Sequence, residues 1–552
     1  MVLKPSSPVE QEIFDIWCQV NPAGAFIGGR SEFAGKAFIP SHENVESAQK
    51  NITAALARCE NESQKKLLLS LDTALAILEP CNVPDYLLGT FFGHMIKEGV
   101  NPLHLTRLAE YSKKALNAFL EAHRSVDWTV GQKLLAEIRC DGLVEVLNVV
   151  KRTTKSKTLK GRVVELLGDV KAFEKQIHVD GYSDGTFDEI WAIIRDRGCA
   201  MGREQIYAQA LKGLFDYPEG PAEVEEKGLR FLRDELGDFN KLTGELARDL
   251  GCDANSEAVT KAIRKEKSLK LSKIIAYINQ VRRITVKVVN RRVVGINPQY
   301  STRVIETPPY LTGVFPSGGA FFFNYLTPTP KQIFITTVDP KRDPHTVPSE
   351  LVNLLIHEEY GHCVHSSNSA RHYAAKPAFL EMLDSTLGGS ISEGMSFQRE
   401  LEFLDYLGQV DNGMKLAPVE RKFVKSWDKL GGFEKFRMEY EFFTNAWRMT
   451  RFLRVIGDAR INSGKQDLAD FIEWGNKETG LSRSMVYFQL FPAHQGIAPG
   501  YASTYAIIGE SIREIQKNAV AAGKDLVKLN TYASSLGFIA RTIFESKLRE
   551  FQ

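Results

Sequence analysis

Apolar residues recur three and four positions apart from Gln11 to about Arg283, most clearly in residues 65–78, 105–123 and 133–150. This spacing predicts one helix after another through the first half of the chain. Pro and Gly clusters at 21–24 and 217–221 predict loops, the second leading through the acidic run 223–226 and marking a subdomain joint. Between 284 and 340 the pattern changes. β-branched and aromatic residues gather at 284–289, 314–325 and 333–338, which predicts a small sheet. Helical spacing returns beyond Val347, with loops expected at 413–418 and 492–500. The expected fold is mostly α-helical with a small β-sheet. It divides into a helical amino-terminal half (1–283), a sheet region (284–340) and a second helical half (341–552), unless all three form one large domain.

Composition narrows the function. The chain has 552 residues, with 70 Lys and Arg against 68 Asp and Glu, a net charge of +2. Such a balance offers no field for a polyanion, so no nucleic-acid partner is expected. The basic clusters at 151–160 and 264–292 read as solvated helix faces. The most apolar stretch, 67–96, is interrupted by Asp72, Glu79, Asp85 and His94, so no membrane association is expected. Residues 1–8 lack the marks of a secretory signal, which predicts a cytoplasmic protein. Seven scattered cysteines with no Cys-x-x-Cys suit reduced, mostly buried thiols.

Chemistry concentrates in one segment. Residues 346–350 supply a helix start in the form of an N-cap candidate, a first-turn Pro and an acid, and residues 351–356 form an apolar helix body. Then comes His357-Glu358-Glu359-Tyr360-Gly361-His362-Cys363-Val364-His365. The zinc helix His-Glu-x-x-His works because a four-residue step returns to one helix face. Here the step from His357 to His362 is five, which on a regular helix sets the rings about 140° apart. A local π-bulge restores one face, and it is predicted at Glu359–Gly361, where Gly361 tolerates the distortion. A zinc site needs a third protein ligand. Glu381 and Glu393 are the candidates, and Glu393 is preferred because Ser392 and Gly394 make it a helix-start residue. The metal expectation is one zinc ion on His357, His362 and Glu393. Glu358, next to the first ligand, is placed to take a proton from a water, with Glu359 the weaker candidate.

The motif resembles the His-Glu-Phe-Gly-His-Ala-x-His helix of thimet-oligopeptidase-like and oligopeptidase F-like zinc peptidases, with one residue inserted. The second half is more similar to the peptidase-like proteins of domain-of-unknown-function family 885. The resemblance rests on Glu393-Gly394-Met395-Ser396, on residues 451–458 and on Pro499-Gly500-Tyr501-Ala502-Ser503-Thr504-Tyr505. It implies a gluzincin-like fold whose cleft lies between two largely helical halves. It also implies that Tyr505 donates to a developing oxyanion, with Tyr501 and His494 as alternatives.

Residues 317–325 read as an edge strand beside the cleft, where Gly318 and Gly319 allow an extended ligand close to the backbone. Arg448, Arg451 and Arg454 lie three apart on one helix face, and Arg451 or Arg454 is expected to receive a substrate carboxylate, the others pairing with acids such as Asp458. The resulting expectation is a zinc metallopeptidase-like hydrolase acting on a peptide or small amide. The alternatives are a metal-dependent hydrolase or lyase with a nonpeptide substrate, and a noncatalytic binding protein on the same scaffold.

Overall fold

The computed structural model describes residues 4–183, 185–312, 315, 317–327, 329–340, 344–374 and 379–551. Helices fill the first half as their apolar spacing requires. In the helix Val130–Thr153, Leu134, Leu135, Leu143, Val146, Leu147 and Val150 are fully buried. A capping box starts it. Thr129 Oγ1 accepts from the Gln132 amide at 3.4 Å, and Gln132 Oε1 accepts from the Thr129 amide at 3.0 Å, a device worth about 1 kcal/mol. Among the described residues no helix is long and apolar enough to cross a membrane, and all seven cysteines are free, five of them buried.

The sheet has three strands in the order β1 (Thr302–Glu306), β3 (Lys331–Thr336), β2 (Gly318–Phe323). β1 runs parallel to β3 with Thr302 opposite Gln332, and β2 runs antiparallel with Gly318 opposite Thr336. β2 is therefore an edge strand. Val314, which the sequence adds to this strand, lies outside the described residues, as do residues 1–3 of the amino terminus.

Four local expectations are overturned. Residues 284–289 are not a strand but part of the helix Ile274–Arg292. There Ile278, Val281, Thr285, Val288 and Val289 fall on one buried face, so packing at helical spacing overrides β-branched preference. Residues 21–24 open a helix, Pro22–Gly28, because Asn21 Oδ1 accepts from the Gly24 amide and Pro22 suits the first turn. The acidic run 223–226 lies in the first two turns of the helix Pro221–Leu250. The basic stretch 264–292 is also no simple solvated face, since Arg264, Lys267, Arg282 and Arg292 pair with Glu350, Glu439, Glu359 and Glu420.

Two close helix crossings set up the second half. The motif helix runs Pro348–Leu355, continues as a π-helix over Ile356–Cys363 and returns to α over Val364–Tyr373. It crosses the helix Thr386–Asp411 at Gly361, where a Cβ would come within 2.2 Å of Ser396 Oγ and 2.7 Å of its Cα. The helix Thr386–Asp411 then crosses the helix Thr504–Ala521 where Gly394 meets Ile508 and Gly509. A Cβ on Gly394 would come within 2.5 Å of Ile508 Cγ2. Gly361 thus serves the crossing, a role beyond the tolerance for distortion that the sequence suggests. Together the glycines bring His362, Glu393 and Tyr505 to one place.

Candidate metal centre

The π-helix answers the five-residue step. Widening the turn over Ile356–Cys363 puts the His357 and His362 rings on one side, with centroids 5.0 Å apart. Glu393 reaches them from its own helix: its Oε2 lies 3.3 Å from His362 Nε2 and 3.6 Å from His357 Nε2. That oxygen is buried and has no hydrogen-bond donor. Its partner Oε1 accepts from the Tyr501 hydroxyl at 2.8 Å.

The outward ring nitrogens are already occupied. His357 Nδ1 faces Glu400 Oε1 at 2.7 Å, and His362 Nδ1 faces Ser392 Oγ at 2.8 Å. Glu400 is itself held by Arg451 through bonds of 2.7 and 2.8 Å. Such bonds hold the rings with their Nε2 atoms aimed at Glu393. A tetrahedral zinc with bonds of 2.0–2.2 Å sets its ligand atoms about 3.4 Å apart. The separations of 3.3 and 3.6 Å match that figure, so the donor set fits a divalent ion. Burial alone would lower the His357 imidazole, yet the carboxylates of Glu393 and Glu400 overcome it and raise it to about 9. Glu393, buried beside two imidazoles, is held well below the usual carboxylate range. A metal entering the cluster therefore displaces a proton.

The neighbouring acids divide. Glu358 lines a cavity of about 640 Å³ next to the cluster. Burial raises its carboxyl above the ordinary value. Glu359 points elsewhere: Arg282 grips both of its oxygens at 2.5 and 2.6 Å and the Tyr300 hydroxyl donates at 3.0 Å. That engagement removes it from the cavity. Glu381, the other third-ligand candidate, sits in the short helix Phe379–Met382 bonded to Tyr373 and Ser63. Glu393 does not start its helix; it lies in the third turn of Thr386–Asp411, whose N-cap is Ser385. The motif helix is likewise capped at Val347 and not at Thr346, and Glu350 reaches back to the Thr346 amide.

His494, Tyr501 and Tyr505 gather beside the cluster and line the same cavity. His494 belongs to a second π-helical turn, Phe491–Gln495. Its Nε2 meets the Tyr505 hydroxyl at 3.2 Å, and the Tyr505 ring lies 6.3 Å from that of His357. Burial and the Arg454 cation hold His494 well below the usual imidazole value, so it is neutral. Gly318 and Gly319 line the cavity from β2. Arg448 is turned away to Glu235 and Glu510, and Arg451 is spent on Glu400. Arg454 lines the cavity with Gln489 as its side-chain partner. Asp458 pairs with none of the three and binds Gln495, Asn462 and the Gly500 amide instead.

Sequence reasoning misses Glu400 and Ser392, although Glu400 follows Glu393 by seven residues, the two-turn spacing that returns to one helix face. It also misses Asp85 and Arg139, which the first half contributes to the same cavity. Arg139 is buried, donates to the Pro492 carbonyl at 2.8 Å and lies 3.0 Å from Asp85.

No family model and no curated protein matches the chain. Two solved structures share its fold over nearly the whole length. One is described as a putative lipoprotein of unknown function from Shewanella oneidensis, with a TM-score of 0.64, 16% identity, and coverage of 98% of this chain and 100% of that one. The other is a putative lipoprotein from Colwellia psychrerythraea, with a TM-score of 0.62, 13% identity, and coverage of 98% and 99%. These findings correct three expectations. The likeness to gluzincin peptidases and to domain-of-unknown-function family 885 does not hold as family membership, because short motifs reflect what a site needs and need not reflect descent. The classification as a zinc metallopeptidase-like enzyme falls with it, since neither neighbour is described as an enzyme. The cytoplasmic expectation gives way too, since both are described as lipoproteins.

Proposed function

We propose that the chain binds one divalent metal ion, zinc by its donor set, on His357, His362 and Glu393, and that a cleft between its two helical halves receives an extended, peptide-like ligand beside that ion. The observation that carries this reading is the convergence of two Nε2 atoms on a buried carboxylate oxygen that has no donor, while both Nδ1 atoms are occupied. A polar group left so at the floor of a cavity costs free energy that a cation recovers. When bound, such an ion polarises a carbonyl group and lowers the pKa of a coordinated water.

The chain's own residues have separable roles. Glu400 and Ser392 fix the imidazole orientations, and Arg451 fixes Glu400. Glu358, its carboxyl raised by burial, is the group to accept a proton from a water in the cavity. The Tyr505 hydroxyl, beside neutral His494, is a donor for an oxygen that gains negative charge. The edge strand β2 offers backbone groups to an extended chain. Retention of a peptide-like ligand beside the ion is the role these groups support, and cleavage of that ligand is an outcome the test below reads separately.

Metal analysis of the purified protein, followed by exposure of the zinc-loaded form to a peptide mixture read by mass spectrometry, tests the proposal. One equivalent of zinc, lost in His362→Ala, is expected. Absence of zinc, with no thermal stabilisation on adding it, would defeat the metal reading. Peptide capture without cleavage would select the binding role.

A further inference from the structure

We propose that Arg454 receives the free carboxylate of the ligand, so that the cleft selects short peptide-like molecules by their carboxyl end. The inference rests on the ligand cleft of the preceding section and names what that cleft recognises.

Three arginines share one face of the helix Phe433–Asn462, and two are neutralised. Arg448 lies 2.8 Å from Glu235 and 2.9 Å from Glu510, and Arg451 lies 2.7 Å from Glu400. Arg454 differs. It is 4% exposed, and among the described residues it forms no ion pair with any carboxylate. One Nη2 bond goes to the neutral amide oxygen of Gln489, and its buried Nε has no acceptor. The guanidinium carbon lies 4.8 Å over the Tyr505 ring. A buried, unpaired guanidinium is costly, and a planar carboxylate is the group whose two oxygens match its fork.

Position makes the group useful. Arg454 lines the same cavity as His357, Glu358 and Glu393. The Tyr505 ring is the shared neighbour, 4.8 Å from the guanidinium carbon and 6.3 Å from the His357 ring. The two distances together bound the separation of the guanidinium from the His357 ring at about 11 Å, within reach of about three extended residues at roughly 3.3 Å each. A ligand anchored by its carboxyl end at Arg454 therefore lays one of its last carbonyl groups at the His357–His362–Glu393 cluster. Longer chains still fit if they leave along β2, but their carboxyl end is the part that is read.

The test uses the full-length protein, both zinc-loaded and after chelator treatment. Calorimetric titration compares N-acetyl-alanyl-alanine, which has a free carboxylate, with its carboxamide. The wild type should prefer the carboxylate by about tenfold or more in both forms, a preference that Arg454→Gln and Arg454→Met remove. Arg454→Met should melt no lower than the wild type, because it deletes an unpaired buried charge. Equal binding of acid and amide by the wild type overturns the proposal, as does a preference that survives Arg454→Gln. A preference that vanishes with chelation or in His362→Ala while Arg454→Gln keeps it assigns the carboxylate to the metal instead. A several-degree fall in melting temperature in both Arg454 variants makes the residue a structural cation and also overturns it. Failure of the metal reading looks different, because the protein then takes up no zinc while the carboxylate preference, and its loss in Arg454→Gln, stay as they are.

Discussion

Two buried polar clusters lie side by side in this protein, and they are built on opposite rules. In the first, Arg203 is bound to Glu79, to the side chain and carbonyl of Gln495 and to Asn462, while Asp458 accepts from Gln495, Asn462, the Gly500 amide and Tyr207. Gln132, from the capping box of the helix Val130–Thr153, closes the ring by donating to Glu79 at 3.0 Å. There the Arg203 cation meets the Glu79 carboxylate, and Asp458 is surrounded by hydrogen-bond donors of the protein itself. In the second cluster, His357, His362 and Glu393 are held firmly from behind, yet their front atoms face one another with no donor between them. Saturation marks a cluster that holds the fold. Rigid support behind converging atoms is the arrangement that the proposed metal site requires.

The largest effect should come from breaking the saturated cluster. Arg203→Ala leaves Glu79 buried without its cation, at a cost of about 3–5 kcal/mol, whereas replacing both residues by apolar ones of similar size costs far less. Denaturant melts of the single and double variants check this. Equal losses in the two would mean that the network contributes only packing. The same deletion at the other cluster, His357→Ala in metal-free protein, should cost less, because the pairing lost is incomplete.

Adding the proposed metal gives the next effect. Zinc at a hundredfold excess over its dissociation constant should stabilise the wild type by about 2.7 kcal/mol, and the gain should disappear in His357→Ala, His362→Ala and Glu393→Ala. Glu381→Ala should keep it, since that acid is occupied by Tyr373. Thermal melts with and without zinc are sufficient, and stabilisation of the Glu393→Ala protein equal to that of the wild type would move the third ligand elsewhere.

Gly361→Ala sharpens the comparison through the backbone. The added methyl group meets Ser396 Oγ at 2.2 Å and its Cα at 2.7 Å. Overpacking at such a crossing costs about 1–3 kcal/mol and separates the motif helix from Glu393. Zinc affinity should therefore fall along with stability. In the double variant Gly361→Ala, Ser396→Gly, part of both should return.

What the sequence makes legible follows from how local each interaction is. The five-residue step from His357 to His362, the edge strand at Gly318 and the helical run from Gln11 are all set by neighbours within a turn or two, and periodicity reports them. Residues 284–289 mislead because Val286, Val288 and Val289 favour strands in isolation, while the buried face of Ile274–Arg292 is decided by contacts far along the chain. The split between Glu358 and Glu359 is not legible at all, because it depends on Arg282 and Tyr300, some sixty to eighty residues away. Glu400 was within reach, two turns from Glu393 on the same face. The unpaired state of Arg454 was not, since it depends on which acids fail to arrive.

The smallest effect on stability is expected at Glu358, and it separates binding from chemistry. Its carboxyl is buried in the cavity wall and raised by that burial, with no side-chain hydrogen bond to another described residue. Glu358→Gln keeps the shape and removes an ionisable group that the fold does not use, so stability should match the wild type within about 0.5 kcal/mol and the zinc content should be unchanged. Gln cannot accept a proton from water. Any hydrolysis of an amide ligand by the zinc-loaded protein should therefore drop by about a hundredfold or more, with ligand affinity little changed. The contrast with Glu359→Gln completes the test. That change strips the negative charge from an acid bonded to Arg282 at 2.5 Å, so it should cost stability and leave hydrolysis per folded molecule unaltered. If the two variants behaved alike, adjacent acids on one π-helix would share a role, and the division between a saturated and an open cluster would fail at its narrowest point.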